Sequence, residues 1–210
     1  MVERENDLKL TILGSTGSIG TQALCVAKKK GYAIEALAAD KNVELAEQQA
    51  REFRPKSFAL RDEMAAADLK TRLRDIDIKV SGGEEAVCEI AQKYGDIVLN
   101  AIVGIAGLRP TMAAIARGRR LALANKESLV TGGEPVMKRI RDTGCELIPV
   151  DSEHSAVFQC IDNSKNPVEK IILTASGGPF FGKSRSELAN ISAAQALNHP
   201  TWSMGKKRSE

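Results

Sequence analysis

The chain has no surplus of one charge. Its 30 lysines and arginines stand against 27 aspartates and glutamates, a formal +3 spread along 210 residues. That balance argues against nucleic acid as the main partner. Of the densest basic clusters, Lys28–Lys30 and Arg117–Arg120 fall at expected helix C-termini, where cations favour the dipole, and Lys206–Arg208 lies near the end. Paired cysteines are also lacking. Cys25, Cys88, Cys145 and Cys160 are far apart and form no CxxC, and three of the four fall in apolar stretches. Buried thiols in a reducing compartment are the simplest account. The polar start, Met1–Asp7, has no apolar h-region, which excludes an ordinary signal peptide. The longest apolar stretch, Ile97–Leu108, is broken by Asn100, Gly104 and Gly107 and is too short to span a bilayer. There is no internal repeat and no low-complexity segment. These absences predict a cytoplasmic globular protein without a membrane or nucleic-acid partner.

Apolar runs and amphipathic segments alternate regularly through the rest of the chain. Strands are expected over Leu8–Leu13, Ala33–Ala39, Ser57–Leu60, Ile78–Ser81, Asp96–Asn100, Leu121–Ala124 and Glu146–Val150. Helices are expected over Ile19–Lys29, Val43–Phe53, Met64–Arg74, Glu84–Tyr94, Leu108–Arg117 and Ser128–Asp142. This rhythm predicts an α/β fold with a doubly wound, Rossmann-like parallel sheet. Beyond Val150 the character changes, with a strand expected over Val168–Thr174, a Gly-rich loop over Ser176–Gly182 and a short helix over Ser192–Leu197. A domain boundary is therefore placed near residue 150. It separates a dinucleotide-binding domain, 1–150, from an incomplete α+β substrate domain, 151–210.

Gly14-Ser15-Thr16-Gly17-Ser18-Ile19-Gly20 follows the first strand directly and opens the first helix, the context that a dinucleotide-binding turn requires. Its glycines permit a tight turn and close backbone approach, and the helix N-terminus offers N–H groups to a pyrophosphate. The second strand ends in Ala39-Asp40-Lys41-Asn42. An acid at position 40 suits the ribose 2′-hydroxyl of NAD, whereas Lys41 suits a 2′-phosphate, so both cofactors stay open at this point. Asn42 also reads as the N-cap of the next helix. In Ala124-Asn125-Lys126-Glu127-Ser128, Lys126 sits where it can reach a substrate oxygen and Asn125 a cofactor group. The same residues read equally as a helix start, Asn125 capping it and Glu127 in its first turn.

An apolar run ends in Pro149-Val150-Asp151-Ser152-Glu153-His154. In an extended segment Asp151 and Glu153 would point the same way and offer two hard oxygen ligands to Mg²⁺ or Mn²⁺. The other reading is a helix start over Glu153–Cys160, capped by Asp151 or Ser152. Late in the chain, His199 and Trp202 lie in a turn-rich stretch around Pro200, where a tryptophan can pack over a ligand.

Taken together and in order, GSTGSIG, LANKESLV, PVDSEH, SGGPF and HPTWSMGKK resemble the 1-deoxy-D-xylulose 5-phosphate reductoisomerase family over residues 8 to 207. The resemblance implies an NADPH- and divalent-metal-dependent enzyme, with Mg²⁺ or Mn²⁺, of the methylerythritol phosphate route to isoprenoids. Such an enzyme rearranges and reduces a small phosphorylated sugar, and the family suggests a homodimer. It implies that Thr16, Gly17, Ser18 and Ile19 hold the cofactor pyrophosphate, that Lys41 and Asn42 meet its 2′-phosphate, and that Asn125, Glu127 and Gly205 complete the cofactor site. Asp151 and Glu153 would ligate the metal and, with Lys126, carry the catalysis. Lys126, Ser152, Glu153, Ser176, His199 and Trp202 would contact substrate. Asp40 departs in charge from the small residue expected there. The family continues past Lys207 into a segment bearing a third metal carboxylate and most of the phosphate grip, so the resemblance implies an intact cofactor domain and an incomplete active site in these 210 residues. The competing readings are a dinucleotide-binding fragment without turnover and another NADP-linked dehydrogenase.

Overall fold

A computed structural model of the protein describes residues 8–162, 167–173, 178–196 and 198. It divides into two compact units, one running to Gln159 and one from Cys160. The first unit holds seven strands: β1 (Lys9–Leu13), β2 (Ala33–Ala39), β3 (Ser57–Leu60), β4 (Lys79–Gly82), β5 (Ile97–Asn100), β6 (Arg120–Leu123) and β7 (Leu147–Pro149). All neighbours pair in parallel, in the order β4-β3-β2-β1-β5-β6-β7. This is the doubly wound α/β architecture that the alternation predicts. The direction of winding reverses at β1, between β2 and β5, and an open α/β sheet binds ligands at that reversal.

Helices cover both faces: α1 (Ser18–Lys30), α2 (Val43–Phe53), α3 (Glu63–Arg72), α4 (Glu84–Lys93), α5 (Leu108–Ile115) and α6 (Lys126–Thr143), with α7 (Ser152–Asp162) following β7. Side chains alternate across the sheet because the strand period is two. Ile12, Leu37, Phe58 and Leu60 join the core under α1, α2 and α3, whereas Leu13, Ala38, Ala59 and Leu121 join the core under α4, α5 and α6. A strand buried on both sides reads as a continuous apolar run, which accounts for the fully buried β3. Each fully buried leucine or phenylalanine contributes about 1.5–3 kcal/mol by leaving water.

One irregularity positions a charge. The pairing of β1 with β2 runs Leu10↔Ile34 and then Thr11↔Ala36, so Glu35 is an extra residue in β2. The bulge shifts parity, which is why Ile34 shares a core with Leu37 and Ala39. Glu35 accepts hydrogen bonds from Lys56 Nζ at 2.7 Å and from the Gly95 amide at 2.7 Å. Burial by itself would raise its pKa. The bonds from Lys56 and Gly95 outweigh burial and hold the carboxyl below the ordinary carboxylate range.

Several sequence expectations need correction. Of the four thiols expected to be buried only Cys145 is; Cys25 and Cys160 are exposed and Cys88 is half-buried. The stretch expected as one helix over Ser128–Asp142 is interrupted within α6, where Gly133 has φ 38° and ψ −123° and Pro135 has no N–H to donate. The strand expected over Val168–Thr174 is absent from the described residues 168–173, and Thr174 lies outside them. Residues Asp151–Glu153 do not extend β7; α7 begins at Ser152, directly after Asp151. In the second unit the described residues form a 3₁₀ turn, Gly178–Phe180, and a short helix, α8 (Ala193–Ala196). Among the described residues no helix is long and apolar enough to cross a membrane.

Because the fold favours the ionised form of Glu35, its contribution is present above the carboxyl's unfolded pKa and is lost as pH falls through the lowered folded value. Glu35→Gln should therefore cost about 1 kcal/mol at neutral pH. Urea unfolding of both proteins should show that gap closing in acid; a gap of the same size in acid would contradict the assignment.

Candidate functional site

The turn after β1 builds the floor of a cleft at the point of reversal. Gly14 and Ser15 donate their amides to the Ala38 carbonyl at 2.8 and 2.9 Å, and Gly17 donates to the Gly14 carbonyl at 3.0 Å. A Cβ at Gly14 would lie 2.8 Å from the Ala101 carbonyl oxygen, and one at Gly20 would lie 2.2 Å from the Gly14 oxygen. Only glycine lets strand, turn and helix approach so closely. Gly17 differs. A Cβ there would meet one atom alone, the Gly14 oxygen at 3.3 Å, and the residue is exposed toward the cleft. No side chain caps α1 and no acid stands in its first turn. The first amides of α1 thus remain open to an anion.

The cleft has a volume of about 360 Å³. Gly14, Thr16 and Gly17 form one wall, Asp40 and Arg61 its rim, and Ala101, Ile102 and Val103 the opposite side. Ser18 and Ile19 open α1, exposed beside it. Lys41 is exposed next to Asp40, and Asn42 caps α2 by accepting the Leu45 amide at 3.1 Å.

Asn125 is 2% exposed and ties the cleft to the start of α6. Its Oδ1 accepts the Ser128 amide at 2.9 Å and also the Ser128 hydroxyl. Its Nδ2 donates to the carbonyls of Ile102 at 2.6 Å and Gly104 at 2.8 Å, and to Glu127 Oε2 at 3.2 Å. Both amide hydrogens are therefore engaged in holding the loop that lines the cleft. Asn100 extends the network through Thr111, whose hydroxyl meets that of Ser128 at 3.0 Å. Sequence reasoning missed Asn100, Thr111 and Ser128. A polar residue closing an apolar strand, as Asn100 does, was the available signal.

A second cluster stands beyond β6 and β7. Lys126 Nζ donates to Asp151 Oδ2 at 2.9 Å, and His154 Nδ1 lies 3.0 Å from Asp151 Oδ1. Asp151 occupies the cap position of α7, and its carboxylate accepts the His154 backbone amide. Position 154 is thus brought back to position 151, as N-cap and third helical residues are. That spacing could have flagged His154. Burial alone would raise the Asp151 pKa, but Lys126 and His154 hold it below the ordinary range. The hydrogen bond to Asp151 raises that of Lys126. Glu153 is exposed and accepts from Ser152 Oγ at 2.7 Å, which lowers its own pKa. The two acids carry oxygen donors suited to a hard cation, although both oxygens of Asp151 already face positively charged or ionisable nitrogens. Among the described residues no group of three or more His, Cys, Asp and Glu could hold a metal. Ser176, His199, Trp202 and Gly205 lie outside the described residues.

Asn125→Ala should destabilise the protein by about 2–3 kcal/mol, since a cap and several buried partners are lost together. Asn125→Asp, which keeps the cap acceptor but turns a carboxylate oxygen toward the carbonyls of Ile102 and Gly104 and toward Glu127, should cost at least as much. Urea unfolding measures both; a cost far smaller for Asp than for Ala would mean that the Nδ2 bonds contribute little.

The family model described as 1-deoxy-D-xylulose 5-phosphate reductoisomerase matches residues 10–133, and the model for the C-terminal domain of that enzyme matches residues 147–209. The curated reductoisomerase of Acetivibrio thermocellus is 53% identical over 201 residues, covering 95% of this chain and 53% of that protein. That of Desulfitobacterium hafniense is 50% identical over 202 residues, covering 95% of this chain and 53% of its own length. The solved 1-deoxy-D-xylulose 5-phosphate reductoisomerase from Zymomonas mobilis, in complex with NADPH, superposes with a TM-score of 0.85 at 39% identity, covering 92% of this chain and 52% of that one. A reductoisomerase solved in complex with NADPH, fosmidomycin and magnesium gives 0.82 at 39% identity, covering 95% and 52%. The chain spans about half the length of the curated relatives it matches. With both family models matched in order and relatives at this identity, the chain belongs to the 1-deoxy-D-xylulose 5-phosphate reductoisomerase family.

Proposed function

We propose that this chain carries the dinucleotide-binding part, and two of the metal-binding acids, of a reductoisomerase that converts 1-deoxy-D-xylulose 5-phosphate to 2-C-methyl-D-erythritol 4-phosphate with NADPH and Mg²⁺ or Mn²⁺. The observation that carries the reading is the cleft at the reversal of strand order, with the open face of Gly17 and the uncapped amides of α1 on its wall. Relatives solved with NADPH and with magnesium support it. Thr16, Gly17, Ser18 and Ile19 would hold the pyrophosphate, and Lys41 and Asn42 would stand at the adenosine end. Asn125 and Glu127 would shape the nicotinamide side through the loop they hold.

Asp151 and Glu153 would hold the cation. When bound, the dinucleotide supplies a hydride and the cation a Lewis acid for adjacent carbonyl and hydroxyl oxygens. Lys126 adds a fixed positive charge beside Asp151, in a position to stabilise negative charge developing on a substrate oxygen. Ser152 would bind substrate, as would Ser176, His199 and Trp202 from outside the described residues. On the family resemblance the working form is a cytoplasmic homodimer with a phosphorylated sugar as substrate, and we keep residue 150 as the boundary between cofactor and substrate domains.

A dinucleotide-binding module without turnover is the second reading. It is favoured by the engagement of both Asp151 oxygens, one with Lys126 and one facing His154. NADPH consumption with deoxyxylulose phosphate and Mn²⁺ separates the two.

Titration of the chain with NADPH, followed by nicotinamide fluorescence, should saturate below about 1 mM; a flat trace into the millimolar range removes both readings. Mn²⁺ binding followed by electron paramagnetic resonance should weaken about tenfold or more in Asp151→Asn, because a charged oxygen ligand is lost. An unchanged Mn²⁺ isotherm would take Asp151 out of the site.

A further inference from the structure

Asp40 stands where a dinucleotide fold that uses NAD places the acid for the ribose 2′-hydroxyl, and an unshielded carboxylate there repels a 2′-phosphate. The structure shows that this carboxylate is not unshielded. Because β2 and β3 run in parallel with Ala39 opposite Leu60, the residues after each strand emerge side by side at the cleft. The backbone continues the pairing for one more step: the Arg61 amide donates to the Ala39 carbonyl at 2.9 Å and the Asp62 amide to the Asp40 carbonyl at 3.1 Å. Arg61 then reaches Asp40 Oδ1 through Nε at 2.7 Å and Nη2 at 2.6 Å. Both side chains line the cleft that Gly14, Thr16 and Gly17 floor.

The contact is one-sided. Nε and Nη2 converge on a single oxygen, and among the described residues Arg61 makes no other ion pair. Its remaining N–H groups stay available. The pair is also weakly held, since the two side chains are 58% and 51% exposed. A phosphate monoester brings more negative charge than one carboxylate oxygen and matches the planar fork of a guanidinium. Lys41, next in the chain to Asp40, is a second exposed cation.

We propose that Arg61 determines which dinucleotide the chain accepts: it neutralises Asp40 and donates to the 2′-phosphate of NADPH. The proposal rests on reading the cleft as the dinucleotide site. Asp40 then gives the guanidinium a single acceptor oxygen, which an asparagine also offers, and its charge no longer selects for a free 2′-hydroxyl.

The test is a pair of fluorescence titrations, NADPH and NADH, on the wild-type chain and on Arg61→Ala, Arg61→Lys and Asp40→Asn, with circular dichroism confirming that each is folded. Wild type should prefer NADPH. Arg61→Ala should weaken NADPH about tenfold or more, as loss of a charge-assisted phosphate contact does, while NADH binds as before or more tightly. Arg61→Lys should restore part of the NADPH affinity. Asp40→Asn should leave NADPH at least as tight. An NADPH-to-NADH ratio unchanged in Arg61→Ala, or Asp40→Asn losing NADPH as strongly as Arg61→Ala, would overturn the proposal. Wild-type chain binding neither nucleotide would overturn the cleft reading itself, and this inference with it.

Discussion

Where β1 ends, three backbone segments come together with no room for a side chain. Gly14, at φ 83°, passes so near β5 that a Cβ would touch the Ala101 carbonyl, and its own oxygen occupies the place where a Cβ of Gly20 would be. The rest of the site follows from that crowding. It pulls the N-terminus of α1 against the sheet, points its amides over the carboxyl edge, and leaves a cleft between the turn and the loop after β5. The crowding occurs at β1 because the chain winds one way from β1 through β4 and the other way from β5 through β7. The two connections lead to helices on opposite faces, which leaves a gap above the reversal among the described residues.

Polar groups buried along this edge keep it in shape. Asn100 and Asn125 end up almost without solvent, yet each has its hydrogens and oxygens matched to a loop carbonyl, a helix amide or a hydroxyl. A buried amide without partners would be costly, so the loop after β5 has little freedom to move away from α6. Glu35 plays a similar part at the opposite edge. Its bulged position sets the carboxylate between Lys56 and the Gly95 amide, tying the starts of β3 and β5 to β2. At the far end Lys126 and Asp151 form an ion pair, with His154 Nδ1 beside it, just beyond the last two strands. Both clusters therefore lie on one edge of one sheet. That is the arrangement a cofactor and a metal-assisted substrate would need.

Local pattern made much of this legible. The alternation of apolar runs and amphipathic segments identified the seven strands of the first unit and the helices between them, and cap residues such as Asn42 and Asn125 marked helix starts because their side chains accept amides three residues on. The errors also have local causes. The expected helix Met64–Arg74 starts one residue earlier because Asp62 caps it through the Ala65 amide. The break at Gly133 in α6 was hidden because the apolar spacing continues on both sides of it. Asp151 and Glu153 read as an extended tip because β7 is expected to continue; instead α7 starts at Ser152, and Asp151 accepts the His154 backbone amide.

Residue order and periodicity alone settled the class of fold, the glycine turn after the first strand and the family motifs, since each depends on neighbours a few positions apart. The pairings that give the site its charge were settled by the sheet. Asp40 meets Arg61 across 21 positions and Lys126 meets Asp151 across 25, in each case because parallel strands in register deliver their next residues to the same edge. No local periodicity encodes which strands become neighbours, so Arg61 as the partner of Asp40 and Lys126 as that of Asp151 became visible only in the folded chain.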